Sequence, residues 1–495
     1  MTYKHGIYIS EVPTSLLPPV DVDSAIPVYI GTAPLHLSKT GASNDVSAKV
    51  NIPILCYTYE EACNALGFVR DSGRWNDYTL SECIYAQFSL FGVAPAIFIN
   101  VLDPADDSHK EIKDPASKTI TDKSVNLGAD VIASTVVIKA TAEGEALSAG
   151  EDYSVSYNGD GDCIVNVLAG GSLASASGLF AGYTILKPDA VAAEDIIGGY
   201  DVATGKYKGL ELINQIFPKF RLIPGSIVSP KFSINSGVAA VMSVKAESIS
   251  GCFKAIALID IDSSAGSDVY SDVPSKKNTD NLLDALQVVS WPMATLDTDK
   301  FHLSVLLAGL LGATDAEWQS VPIKSPSNMV LPIDGICLAS GADVNLTQEQ
   351  ANYLNGQGIT TALNWINGWR FWGNRTAAYP ASTDVKDTFI PVRRMFNWIG
   401  NTLITTWFQK VDFPITKRRI ESIVDSINIW LNGLASREFL IGHPHVQFLE
   451  SENPTEDLMD GIIRLHVKIT PPSPMRELDF ILEYDTEQLS ALFAV

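Results

Sequence analysis

Residues 255–262 read Ala-Ile-Ala-Leu-Ile-Asp-Ile-Asp, a continuous apolar run that ends in acid. A strand with one wet face alternates apolar and polar side chains, so a strand apolar at nearly every position is covered on both faces. Working outward, Ile26-Pro27-Val28-Tyr29-Ile30-Gly31-Thr32-Ala33 reads as a second buried strand ending at a glycine turn, and residues 96–101, Ala-Ile-Phe-Ile-Asn-Val, as a third. Between those two, Glu60, Glu61, Ala62, Ala65 and Leu66 start one helix, and Leu80, Cys83, Ile84, Ala86 and Gln87 lie on another. Beyond 262, residues 282–289 read as helix, 293–296 as extended chain and 301–311 as a buried helix. This alternation predicts an α/β layer. Residues 31–102 and 200–380 then make one discontinuous α/β middle domain.

What interrupts that domain has a different composition. Residues 103–199 carry 16 acidic and 6 basic side chains, a balance of -10 out of the chain's -22. Short β-branched runs recur there: Val131-Ile132, Thr135-Val136-Val137-Ile138, Tyr153-Ser154-Val155-Ser156-Tyr157 and Ile164-Val165-Asn166-Val167. Asn158-Gly159-Asp160-Gly161 between two of them is a hairpin turn signal. The segment reads as an inserted, acidic, β-rich outer domain, its charge serving solubility.

The two ends read as arms. Residues 1–30 form an N-terminal arm and linker: Ile7, Tyr8 and Ile9 suit a short strand, and Pro13, Pro18 and Pro19 deny a helix. Six of the nine Trp (365, 369, 372, 398, 407 and 430) fall within 66 positions. Pro414 and Thr416 cap a helix whose apolar positions are Ile420, Ile423, Val424, Ile427, Trp430, Leu431 and Leu434. Residues 461–469 alternate like a half-buried strand. After Pro471, Pro472 and Pro474, the apolar Leu478, Phe480, Leu482 and Tyr484 alternate with Asp479, Ile481, Glu483 and Asp485. That is a strand beyond a proline hinge, and a lone strand wants a sheet edge. The fold class is therefore α+β multidomain, with an α+β C-terminal core domain at 381–476 and a C-terminal arm at 477–495.

Composition excludes several functions. A chain of 495 residues exceeds one core, and 46% hydrophobic with 19% charged residues is globular. A net charge of -22 repels a phosphate backbone, which argues against direct nucleic-acid binding. The six Cys (56, 63, 83, 163, 252 and 337) form no Cys-x-x-Cys pair, so a zinc ribbon, an iron–sulfur cluster and a disulfide scaffold are disfavoured and buried free thiols are expected. The N-terminus lacks the apolar core of a signal peptide. The most apolar window, 301–313, is shorter than the roughly 20 residues of a membrane span, so no membrane insertion is expected. A soluble chain made in the cytoplasm follows.

Catalytic motifs are missing. The sequence has no Gly-x-Ser-x-Gly elbow, no phosphate-binding loop and no His-Glu-x-x-His helix. Gly159-Asp160-Gly161 begins like a dinucleotide fingerprint, but Ile164 stands where the third glycine belongs. His443, His445 and His466 could offer three imidazoles to a metal; a loop after a strand is the better reading. Asp260, Asp262, Asp268 and Asp272 gather at the end of a strand, where α/β folds place ligands, and a solvated loop is again the better reading. No cofactor, metal or catalytic residue is assigned. The Trp-rich segment, with Arg370 and Arg375, reads as an interface anchor. Lys417, Arg418 and Arg419 occupy the first turn of a helix, where the macrodipole disfavours cations, and call for solvent or an acidic partner.

Three stretches carry a resemblance. Trp369-Arg370-Phe371-Trp372-Gly373-Asn374-Arg375-Thr376 resembles the Phe-Trp-Gly-Asn-Arg-Thr signature of contractile tail sheath proteins. His5-Gly6-Ile7-Tyr8-Ile9-Ser10-Glu11-Val12 is similar to the opening of such sheaths. Asn453-Pro454-Thr455-Glu456-Asp457-Leu458, Gly461, Pro471-Pro472 and Pro474-Met475-Arg476-Glu477 resemble their ending. The matches cover about half the chain and leave out the 103–199 insert, which varies in this family. The resemblance implies a structural subunit of hexameric rings, stacked helically around an inner tail tube. Residues 5–12 and 477–485 would be arms that add strands to neighbouring subunits. Contraction without nucleotide hydrolysis would drive the tube through a target envelope, the step before genome ejection in a phage. The implied partners are other copies of the chain, the tail tube protein, the baseplate and the tail terminator, with Lys417, Arg418 and Arg419 as candidate tube or neighbour contacts. The implied location is a virion tail or headless contractile particle, assembled in the bacterial host cytoplasm. Two alternatives stand beside it: a hydrolase with its site at 260–272, and a tube or baseplate component, against which the length argues.

Overall fold

Eight strands build the largest sheet of the computed structural model, which describes residues 22–39, 49–70, 74–202, 205–264 and 266–489. They are β1 (Pro27–Gly31), β2 (Ile54–Cys56), β3 (Ala96–Asn100), β4 (Ser226–Val228), β5 (Ile256–Asp260), β6 (Gln287–Ser290), β7 (Ile359–Trp365) and β8 (Gly368–Trp372). Their order is β2-β3-β1-β4-β5-β6-β7-β8. The six inner strands run parallel, and β2 and β8 close the two edges antiparallel. Alternation divides the side chains between two cores. Val28, Ile30, Ile97, Ile99, Ala257 and Ile259 face helix Ser236–Glu247. Tyr29, Phe98, Val228, Ile256 and Leu258 face helices Thr79–Ile84 and Leu303–Ala316. The run at 255–262 is thus apolar because β5 has helices on both sides.

The helix expected at 282–289 is not there. A short helix, Val273–Thr279, precedes it, Asn281 takes a left-handed φ of 55°, and the chain then forms β6. Both β5 and β7 pair with β6, so two ladders override a local pattern that suits either structure.

Between β3 and β4, strands Lys110–Thr119, Gly178–Leu186 and Val137–Lys139 form one three-stranded sheet, and Ser124–Gly128, Cys163–Val167 and Tyr153–Tyr157 another. They enclose a core of their own, including Val125, Val131, Ile138, Val165, Leu179 and Ala181. The turn at 158–161 joins Tyr153–Tyr157 to Cys163–Val167 as a hairpin.

Past β8, helices Ile390–Trp407 and Lys417–Ser436 pack through Met395, Trp398, Ile399, Ile427, Leu431 and Leu434. The Trp residues are not one cluster. Trp365, Trp369 and Trp372 belong to the β7–β8 hairpin, whereas the Trp398 and Trp430 rings meet at a tilt, centroids 5.8 Å apart, in the C-terminal core. All six cysteines are free, but Cys252 is exposed, which corrects the expectation of uniformly buried thiols. No helix among the described residues is long and apolar enough to cross a membrane.

Candidate assembly surfaces

A two-stranded antiparallel sheet, His445–Gln447 with His466–Lys468, lies on helix Lys417–Ser436. The expected strand at 461–469 shortens to those three residues. One edge of the sheet is closed by a side chain. Asn428 of the helix accepts the Val446 N–H at 2.7 Å through Oδ1 and donates through Nδ2 to the Val446 carbonyl at 3.2 Å. The other strand is tied on its inward positions. Asn453 accepts the Arg464 N–H at 2.7 Å and donates to the Arg464 carbonyl at 2.9 Å, and Ile441 N–H donates to the Thr470 carbonyl at 2.8 Å. Backbone groups of a strand point to alternate sides. With 464–470 turned inward at even positions, the N–H and C=O groups of Leu465, Val467 and Ile469 point to an edge that has no partner among the described residues. Their side chains pack on the C-terminal core.

Residues 469–485 carry no regular secondary structure. The expected strand at 477–485 therefore does not form in the single chain, because a strand without a neighbour has no ladder to hold it. Its apolar side chains stand in solvent: Phe480 is 80% and Leu482 94% exposed, and Leu478, Ile481 and Tyr484 are exposed too. The companion arm residues Ile7, Tyr8 and Ile9 lie outside the described residues. Of the large hydrophobic side chains left exposed, many fall after residue 407, among them Phe408, Val411, Phe413, Ile429, Ile441 and Met459.

The signature residues form the joint between the sheet edge and the C-terminal helices. Phe371 is fully buried in β8, and Trp372 ends the strand. Gly373 has φ 141°, and a Cβ there would lie 3.0 Å from Thr360 Cα, so only glycine fits. The Asn374 carbonyl accepts the Ile390 N–H at 3.0 Å. The Arg375 guanidinium lies 3.7 Å from the Phe389 ring centroid and 4.3 Å from that of Tyr379, and donates to Thr388 Oγ1 at 3.0 Å. Burial lowers its proton affinity, and the charge of Arg476 works the same way. Behind the joint, the buried Lys277 donates to the carbonyls of Gln357, Ala377 and Tyr379 at 2.7, 2.7 and 3.0 Å. Burial pulls that amine down to about 8.

Thr416 caps helix Lys417–Ser436, its Oγ1 accepting the Arg419 N–H at 3.3 Å. Lys417 and Arg418 are exposed; Lys417 reaches Glu421 only at 3.8 Å. Arg419 stacks over Phe413 at 4.9 Å and donates to the Pro414 carbonyl. Phe413, Val411 and Phe408 stand exposed beside these cations. A cationic first turn and the positive helix end add together, which favours an anionic neighbour.

The catalytic candidates disperse. Asp260 is buried, with Oδ1 accepting the Ser304 N–H at 3.0 Å and Oδ2 engaging the hydroxyls of Ser304 and Ser233. It anchors the start of helix Leu303–Ala316 and is no part of a solvated loop, which corrects that expectation for this residue. Asp262 receives the Ser264 N–H at 3.0 Å. His466 Nδ1 lies 3.0 Å from Glu452, and His445 Nδ1 lies 3.0 Å from the His443 carbonyl. No group of three metal-ligating side chains occurs among the described residues. Gly159 and Gly161 turn the hairpin. Asn428 and the open positions 465, 467 and 469 escaped the sequence reading: the alternation at 461–469 signals a strand but carries no sign of which edge stays unpaired.

No protein-family model matches the chain. It is 27% identical over 503 residues to the tail sheath protein of Burkholderia phage BcepMu, covering 99% of this chain and 98% of that protein. Its fold resembles the sheath complex of an extracellular contractile injection system, PVC, in the contracted state (TM-score 0.58, 14% identity, 99% of each chain). It also resembles a chain of the anti-feeding prophage baseplate (TM-score 0.57, 16% identity, 98% of this chain and 100% of that one). At those identities the two structural likenesses speak for the fold.

Proposed function

We propose that this chain is a structural subunit of a contractile tail sheath, as is its full-length relative of 27% identity. Six copies form a ring, and rings stack helically around a tail tube. Residues 5–12 and 477–485 act as the arms that join rings. The division into a linker arm (1–30), a middle domain (31–102 with 200–380), an outer insert (103–199), an inner core domain (381–476) and a C-terminal arm (477–495) follows this reading, except that residues 27–30 belong to β1 in the middle of the main sheet and not to the arm. The baseplate, tail tube and tail terminator are its neighbours, and a virion tail, assembled in the host cytoplasm, is its place. The chain needs no catalytic site for this, since contraction draws on contacts remade as rigid subunits rotate.

The observation that carries the reading is a mismatch within one chain. Among the described residues, the C-terminal sheet has an unpaired edge at Leu465, Val467 and Ile469, while the alternating segment at 478–484 pairs with no strand. β-Augmentation by a second copy satisfies both. Each apolar arm side chain contributes roughly 1.5–3 kcal/mol on burial, offset by the ordering of a free segment. One arm alone therefore binds weakly. A mesh in which every subunit gives and receives arms gains by multivalency.

The test compares the full chain with a deletion of residues 477–495 by negative-stain electron microscopy. Hollow striated tubes from the full chain and none from the deletion are expected. Equal tube formation by both would refute the role of the arm.

A further inference from the structure

The first described residues, 22–26, pass between helices Leu303–Ala316 and Ile390–Trp407 and are held there by side chains of both. Trp398 Nε1 donates to the Val22 carbonyl at 2.7 Å. Arg394 Nη2 donates to the Ser24 carbonyl at 3.2 Å, and the Ser24 hydroxyl donates to Asp315 Oδ2. Arg394 and Asp315 themselves form a two-pronged pair, Nη1 to Oδ1 at 3.0 Å and Nη2 to Oδ2 at 2.5 Å, with side chains only 4% and 2% exposed.

A buried ion pair is a poor way to gain stability, because apolar residues of similar volume do as well or better. This pair makes sense through what it holds. Apolar packing holds the two ends of the segment, Val22 and Ile26, but a cleft of about 220 Å³ opens beside its middle, lined by Asp23, Ser24, Ala25, Ile26, Asp315 and Ala316. Three residues after Ser24 the chain becomes β1, bonded on one side to β3 and on the other to β4. A pull on the N-terminal segment, if untied, would run along β1 and strip its ladders from the middle of the sheet.

We propose that the Arg394–Asp315 pair is a latch on the root of the N-terminal segment. It clamps residues 22–24 so that tension enters the two helices instead of β1. Helix Ile390–Trp407 packs into the same core as helix Lys417–Ser436, which carries the sheet with the open edge. The latch thereby places the arm that this subunit gives and the edge at which it receives on one rigid unit. The inference rests on the sheath reading for the source of the tension, and its mechanical content stands apart from assembly.

Two variants test it. D315L/R394M removes both charges at similar volume, and S24A/W398F cuts two ties while leaving the pair intact. D315L/R394M should melt close to the parent, and S24A/W398F lower, since Phe leaves part of the buried Trp398 space unfilled. Hydrogen exchange at residues 22–26 should quicken at least about ten-fold in each. In optical tweezers, with handles at Thr2 and Ser436, the first unfolding event should come at a force lower by about a third, because forced unfolding follows the barrier of the element pulled. If D315L/R394M fails to fold, S24A/W398F alone decides. Parent-like exchange and parent-like force would overturn the latch. A parent that forms no tubes would count against the sheath reading and leave the force result unchanged.

Discussion

His36 is buried, and neither of its ring nitrogens makes a hydrogen bond among the described residues. The rings of Tyr157 and Tyr78 stand 5.7 and 6.1 Å away, and the Asp130 carboxylate 4.0 Å. Burial first, and then the charge of Arg74, pulls the imidazole from 6.5 down to about 3. The unfolded chain takes up a proton near 6.5 and the folded chain resists until about 3. Stability from the neutral ring is therefore complete above pH 6.5 and is lost as the pH falls through that window, by up to about 1.4 kcal/mol per pH unit. Urea titrations between pH 6.5 and 5 should show the parent losing stability faster than His36→Leu. Parallel losses would exclude His36 as the source. Asp130 belongs to the insert and also accepts from Arg74 at 2.8 Å and Tyr78 at 2.7 Å, so this histidine marks where insert and sheet meet. Nothing in Leu35-His36-Leu37 announces it, because the partners come from residues roughly 40 to 120 positions away.

At the scale of the element, the sheet at 445–447 and 466–468 shows how a fold can leave one edge available and close another. Asn428 presents an amide to Val446 much as a neighbouring strand would, which blocks pairing there. Val467→Pro is the discriminating variant. Its N–H points to the open edge, so losing it spares the internal ladder while removing a donor that an incoming arm requires. A melting temperature within a few degrees of the parent, with tubes absent by electron microscopy, is expected; tubes of normal abundance would rule out this edge as the acceptor. The sequence reading found the strand within 461–469 because alternation is written in neighbouring residues. It failed at 282–289, where Leu282, Leu286 and Val289 suit a helix but 282–286 is turn and coil, and pairing with β5 and β7 makes 287–290 a strand.

For the whole molecule, charge distribution matters. A chain of net charge -22 with -10 in one insert still places Lys417, Arg418 and Arg419 together at a helix start. Exposed apolar side chains, Phe408, Val411 and Phe413, lie beside them. Such a patch suits an acidic surface, a tail tube or a neighbouring subunit. Reversing the exposed Lys417 and Arg418 to Glu should leave the fold and its melting temperature unchanged within about 1 kcal/mol, since exposed charges contribute little. Co-expression with a tail tube should then give bare tubes, and the parent's binding should weaken as salt rises. Sheathed tubes from the reversed variant would exclude the patch from the contact.

The sequence by itself determined the elements that depend on near neighbours: the buried strands at 27–31, 96–100 and 256–260, the helix capped by Thr416 and the hairpin at 158–161. Periodicity, capping and turn chemistry act within a few residues, so they are legible in order. The tertiary structure alone decided the order of eight strands, the burial of Asp260 under Ser304, the edge closed by Asn428 and the pairing of Asp315 with Arg394, 79 positions apart. These are meetings of distant residues, and their energies exist only once the chain has closed the loops between them.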